Sequence, residues 1–173
     1  MADLLVSEDD ALEYVGADYI RSEARFVKML AGLSDFIRAK IDRPIEIAEF
    51  TDTLDGNGES TLRLTQSPVT ELDTVTIDGE DVTADCMVYD HGDLYYDGAV
   101  FPTGHQNVVA TYSAGFEETV PERLQLAVLL IMDQMASTDT LKQATRGEYD
   151  IIFDTDKWPK NAREIVESFC RKS

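Results

Sequence analysis

The chain has 173 residues and carries 34 Asp and Glu against 15 Lys and Arg, a formal charge of −19 and an isoelectric point near 4.2. So negative a surface repels phosphate, which argues against gripping nucleic acid by counterion release. Cys86 and Cys170 lie far apart and in no CxxC or His/Cys cluster, so they argue against zinc and establish no disulfide; they read as buried thiols. The length suits one domain, or one domain with an insertion, large enough to bury about two-thirds of its unfolded surface. Residues 1–20 lack a basic start followed by a long apolar run, and no stretch is a membrane-span candidate, so the chain is expected to be soluble and intracellular when made.

In chain order, Ser7 with Asp10 three residues later suits a helix N-terminus, Leu12 and Val15 share a face, and Gly16 ends that first helix. A longer helix is expected from about residues 18–22 to Ile41. Its stripe of Phe26, Leu30, Leu33, Ile37 and Ile41 has helical period, and Asp42-Arg43-Pro44 stops it. From Ile45 the pattern alternates. Ile45, Ile47 and Phe50 suggest a strand, and Asp55-Gly56-Asn57-Gly58 reads as a turn returning it as a hairpin over 60–65. Leu72, Val75 and Ile77 lead to a second tight turn at Asp78-Gly79-Glu80, with further strands at Cys86–Tyr89, Leu94–Tyr96 and Val108–Tyr112. The rhythm is that of a small antiparallel sheet or sandwich.

The stretch from Asn107 to Ser137 organises the rest. After the strand, Gly115 permits a backbone shape closed to other residues. Thr119 and Glu122 have capping-box spacing, and Pro121 suits a first helical turn. From Leu124 to Met132 only Gln125 is polar, so this helix must be enclosed, by its own chain or by other copies. Residues 139–146 either extend it or form a separate turn, and 147–153 read as a last strand or arm. Pro159 then opens a helix with Ala162, Ile165, Val166 and Phe169 on one face and Arg171 and Lys172 at its negative end. The fold class is α+β: a helical bundle with a central antiparallel β module and a C-terminal strand or arm plus helix. The whole is one domain with helices over 1–44, the β module over 45–114, and core helix, arm and last helix over 119–173.

Little in the side chains suggests chemistry. Asp52, Asp55, Asn57 and Glu59 offer oxygens at near-alternate positions, as a calcium loop would. Counted from Asp55, however, positions six and twelve are Ser60 and Gln66, where an EF-hand has Gly and Glu. His91 with Asp90 and Asp93, and His105 after Pro102-Thr103-Gly104, are ordinary turn residues with no positioned nucleophile. No P-loop, GxGxxG, GxSxG or HExxH occurs. Neither an enzyme nor a cofactor is expected. Residues 51–100 hold 12 acids and one base, Arg63. That excess reads as a solvated surface, as adaptation to a salty cytoplasm, or as the lining of a path along which DNA slides without sticking.

One ordered set of segments carries a resemblance. It runs from Ile41-Asp42-Arg43 through Ser67-Pro68-Val69, Thr74 to Gly79, Tyr96-Asp97-Gly98 and Phe101-Pro102. It continues with Val109-Ala110-Thr111-Tyr112-Ser113-Ala114-Gly115-Phe116 and Val120-Pro121 before an apolar helix, then Gly147-Glu148-Tyr149, and Trp158-Pro159 to Arg171-Lys172. In that order, over about residues 7–172, the chain resembles the head–tail connector (adaptor) proteins of tailed phages and related viruses.

The resemblance implies a homo-oligomeric ring of twelve copies in the virion neck, assembled in the host cytoplasm. The ring would dock on the portal protein, receive a tail or stopper protein on its other side, and let genome DNA pass without specific binding; no membrane is involved. It further implies a portal-docking segment anchored by Trp158 and Phe169 with Arg163, Arg171 and Lys172 pairing acids, so that removing 156–173 should spare the fold. Asp78, Glu80, Asp81 and Asp85 would face the lumen. The heavily acidic middle departs from the family pattern. A head-completion or stopper protein or a tail-completion protein of the same neck is the first alternative. The second is a monomeric α+β ion-binding module using Asp52–Glu59 or Asp90–Asp93.

Overall fold

A computed structural model describes residues 4–16, 23–137 and 154–170. The chain divides into two compact units, one of residues 1–42 with 120–173 and one of residues 43–119. The first is helical: α1 (Glu8–Val15), α2 (Glu23–Ile41), α3 (Glu122–Ser137) and α4 (Lys160–Phe169). Ser7 caps α1 by accepting the Asp10 amide at 3.1 Å, and Gly16 closes it at φ 85°. On its buried face Ala11 partners Val15, and Leu12 stands half-buried.

The α2 stripe is buried throughout: Phe26, Leu30, Leu33, Ile37 and Ile41. Asp42 then turns left-handed at φ 52°, which ends the helix. A short polar side chain tolerates that shape better than most. The buried Ser34 hydroxyl donates to the Leu30 carbonyl (2.9 Å) and accepts the Leu5 amide (3.2 Å), tying the N-terminal segment to α2.

The Thr119–Glu122 capping box is not formed. Helix α3 begins one residue after Pro121, whose carbonyl accepts the Leu124 and Gln125 amides, while the Gln125 side chain donates to the Val120 carbonyl at 2.8 Å. Helix α1 packs on α3, and α4 packs on α3 and α2. The last strand or arm expected at 147–153 lies outside the described residues, as does the stretch 139–146.

The second unit is antiparallel. One sheet has the order β1 (Ala48–Leu54), β7 (Val108–Ala114), β3 (Val69–Ile77), β4 (Glu80–Asp81); the other has β2 (Thr61–Arg63), β6 (Asp93–Tyr96), β5 (Cys86–Val88). Strand β7 is paired on both edges, and Val108, Ala110, Tyr112 and Ala114 are buried on one of its faces. With Leu62, Leu64, Val75, Leu94 and Phe101 they form a core shared by both sheets. In β3 the register shifts twice, beside Thr70 and Asp73. Two bulges thus absorb the three-residue spacing of Val69, Leu72 and Val75.

The hairpin expected across 55–58 is not made. Strand β1 pairs with β7, and the returning segment crosses to the other sheet to pair with β6. The loop instead binds residues 101–107. The Gly58 amide reaches the Phe101 carbonyl (2.8 Å), and the Gly56 amide reaches the Asn107 side chain (2.8 Å). A Cβ on Gly56 would overlap the Pro102 carbonyl. By contrast, Asp78 (φ 52°) and Gly79 (φ 87°) do form the tight turn between β3 and β4, in the left-handed pair typical of a two-residue hairpin.

Candidate functional site

In the helical unit, two of the residues expected to dock a partner, Trp158 and Phe169, are committed to the fold. Trp158 is 6% exposed and meets Phe36 edge-on with centroids 5.8 Å apart. Phe169 is buried with Ala162 and Val166, the apolar face of α4. Cys170 donates to the Lys40 carbonyl at 3.5 Å, pinning the end of α4 to α2. Trp158, Ala162, Val166 and Phe169 therefore supply core, and the expectation that deleting 156–173 spares the fold is corrected. Arg163 pairs with Asp156 at 3.3 Å and approaches Glu167 at 3.9 Å. Arg171 and Lys172 lie outside the described residues.

Helix α3 buries Leu124, Ala127, Val128, Ile131 and Met132. Its other side mixes exposed Glu122, Arg123 and Asp133 with apolar residues. Leu126 is 43% exposed, and Leu129 and Leu130, three and four residues on, are half-buried.

In the β unit, Asp78, Glu80, Asp81 and Asp85 are all exposed and cluster at the β3–β4 turn and the helical turn Thr83–Asp85. Asp81 accepts the Thr83 hydroxyl (2.6 Å) and amide (2.9 Å), which hold its carboxyl below the usual range. Half-burial, aided by Asp85 and Asp81, pushes the Cys86 thiol up to about 11. Neither cysteine forms a disulfide, and both are half-buried.

The calcium reading finds no converging ligands. Asp52 is buried, whereas Asp55 accepts the Gln106 amide (2.6 Å) and meets His105 (2.9 Å), contacts that lower its pKa. Asn57 caps its own loop at Glu59 and Thr61. His91 lies 2.9 Å from Asp93 and 3.3 Å from Asp90. The Arg63 guanidinium at 2.6 Å, helped by His91, holds Asp93 below the usual carboxylate range. Among the described residues no three His, Cys, Asp or Glu come together as a metal site. No helix among them is long and apolar enough to cross a membrane.

Sequence reasoning missed the polar centre of this unit. Asp52 accepts the Thr65 amide (2.7 Å), the Thr65 hydroxyl (2.7 Å) and the Tyr112 hydroxyl (2.8 Å); the Tyr112 oxygen in turn accepts the Gln66 amide at 3.0 Å. Burial, above all, raises the Tyr112 pKa. The network locks the segment after β2 onto β1 and β7. It was legible in one respect: β-alternation places Asp52 on the same face as Phe50 and Leu54.

The sequence model of the head completion protein family matches residues 4–172. Among solved structures, a chain of the "Virion of native gene transfer agent (GTA) particle" aligns with TM-score 0.64 and 15% identity, over 98% of this chain and 91% of that one. One from the "Neck of empty GTA particle computed with C6 symmetry" aligns at 0.60 and 17% over 98% and 91%. One from the "Neck of native GTA particle computed with C12 symmetry" aligns at 0.58 and 16% over 100% and 96%. At these identities the likeness is one of fold. No curated protein matches significantly.

Proposed function

The chain belongs to the head completion protein family, a class of structural virion proteins and not of enzymes, and from that premise we propose that it forms a ring in the particle neck, between portal and tail. Twelve copies surround the genome path. The observation that carries this reading is α3: after its own unit has buried one side of the helix, Leu126, Leu129 and Leu130 still present apolar surface, which rings cover between neighbours. The C12 and C6 symmetry in the descriptions of two similar structures supports it.

Portal docking is assigned to the solvent side of α4, with Arg163 on it and Arg171 and Lys172 beyond it; Trp158 and Phe169 act from within by holding α4 in place. The other face of the ring receives a tail or stopper protein. The acids Asp78, Glu80, Asp81 and Asp85 line the path and repel phosphate, so DNA moves without sticking.

The test is mass measurement and particle imaging of the purified chain, alone across concentration and with portal vertices. A twelve-membered species is expected in at least one condition, and Leu126→Asp should abolish it while leaving the monomer folded. A chain that stays single even on portal vertices overturns the reading. For the lumen, converting Asp78, Glu80 and Asp85 to their amides should slow genome exit. Unchanged exit with reduced solubility assigns those acids to an ordinary solvated surface.

A further inference from the structure

The three-stranded sheet has an outer face unlike the rest of the acidic unit. Leu62 and Leu94 point to the core, so strand alternation puts Met87 and Tyr95, directly opposite in register, on the outside. Met87 is 45% exposed and Tyr89, just past the end of β5, 47%. The Tyr89 hydroxyl lies 4.0 Å from the Met87 sulfur, and the His91 ring stacks on Tyr89 at 5.6 Å and 19°. Together these side chains form a continuous apolar and aromatic patch. Its border carries Asp90, 88% exposed at the side chain, and the pair Asp93–Arg63, already joined at 2.6 Å.

Tyrosine and methionine are the residues that protein contacts favour at their centres, with polar groups around them. The surrounding charge chooses the partner. Residues 43–119 hold 16 acids and two bases, Arg43 and Arg63, a net −14. A second copy of this surface would bring the same charge against itself, and like-charge juxtaposition opposes such contacts.

We propose that this face is a docking surface for a different protein of basic charge. That partner lays apolar side chains over Met87, Tyr89 and Tyr95 and sets lysines or arginines against Asp90, the acid that Arg63 does not neutralise. The assignment concerns a surface remote in sequence from α3 and stands whether or not the ring reading holds.

The experiment uses assembled particles beside the free purified chain. Hydroxyl-radical oxidation of Met87 and Tyr89 should fall severalfold in particles. Zero-length carbodiimide coupling, which joins a carboxylate to a lysine amine, should link Asp90 to lysines of another protein. The double variant M87S/Y89S, which leaves the charge unchanged, should melt normally and keep the oligomeric mass of the parent chain, yet lose those links. Undiminished oxidation in particles, links to another copy of this chain, or links that persist in the double variant overturn the proposal. Because mass is measured on the same variant, failure of the ring reading is distinguishable from failure of this one.

Discussion

Replacing Asp52 tests whether the β unit is held by its buried carboxylate. Asp52→Ala removes the acceptor for three donors at 2.7 to 2.8 Å. Thr65 is exposed, so water replaces much of what its amide and hydroxyl lose, at a cost of about 0.5–1 kcal/mol each. The Tyr112 hydroxyl is buried. It keeps its bond from Gln66 but loses its acceptor, which costs about 1–2 kcal/mol. The sum is about 3 kcal/mol, or a melting shift of roughly 6–12 °C for a chain of this size.

Asp52→Asn separates the network from the mere presence of a side chain. With its oxygen at the Oδ2 position, the amide still accepts from Thr65 and Tyr112, while its nitrogen faces a Thr65 hydroxyl that can rotate to accept. The expected loss is only about 1 kcal/mol. Urea unfolding followed by circular dichroism, with the slope unchanged, measures both. An alanine variant within about 1 kcal/mol of the parent, or no more destabilised than the asparagine variant, would refute the argument. Combining Asp52→Ala with Tyr112→Phe should be less than additive, by about 1 kcal/mol, because both remove one shared bond.

Gly115 sits at φ 148°, and a Cβ there would lie 2.5 Å from the Glu46 carbonyl oxygen. Gly115→Ala should therefore cost at least about 2 kcal/mol in thermal melts, since neither backbone can yield cheaply. Leu33→Ala at the centre of the buried α2 stripe should cost about 2–5 kcal/mol by the same assay. With its pKa near 11, Cys86 should react with a thiol reagent at pH 8 far more slowly in the native chain than in the urea-unfolded one. Asp55, Asp81, Asp93 and Asp154 have folded pKa values below their ordinary one. Their contribution is thus present above the ordinary carboxylate pKa and is lost as pH falls through the folded values. Asp93→Asn should shrink the drop in melting temperature on acidification, and an unchanged drop discounts its pairing with Arg63.

Local patterns carried much of the architecture. The α2 stripe, the Ser7 cap, the Asp78-Gly79 turn, the apolar face of α4 and the order of helices around strands all follow from periods and dihedral preferences that act within a few residues. So does the family kinship, which rests on the order of such segments. The partner of each strand lay beyond that range. The Asp55–Gly58 stretch has hairpin chemistry, but seven residues of β1 pair with β7 and Leu62 and Leu64 fill the shared core, so the chain crosses to the second sheet. Bulges beside Thr70 and Asp73 hid β3 from a strict two-residue period.

Where side chains ended up was decided in the same way. Asp52 reads as a candidate loop ligand for an ion until Thr65 and Tyr112, 13 and 60 residues away, supply its donors. Trp158 and Phe169 read as exposed anchors until α2 and α3 cover them. Near neighbours thus determined where helices and turns form. Which faces were left for other molecules was settled only when distant segments competed for the same buried area, because burial is a property of the assembled core and not of any stretch alone.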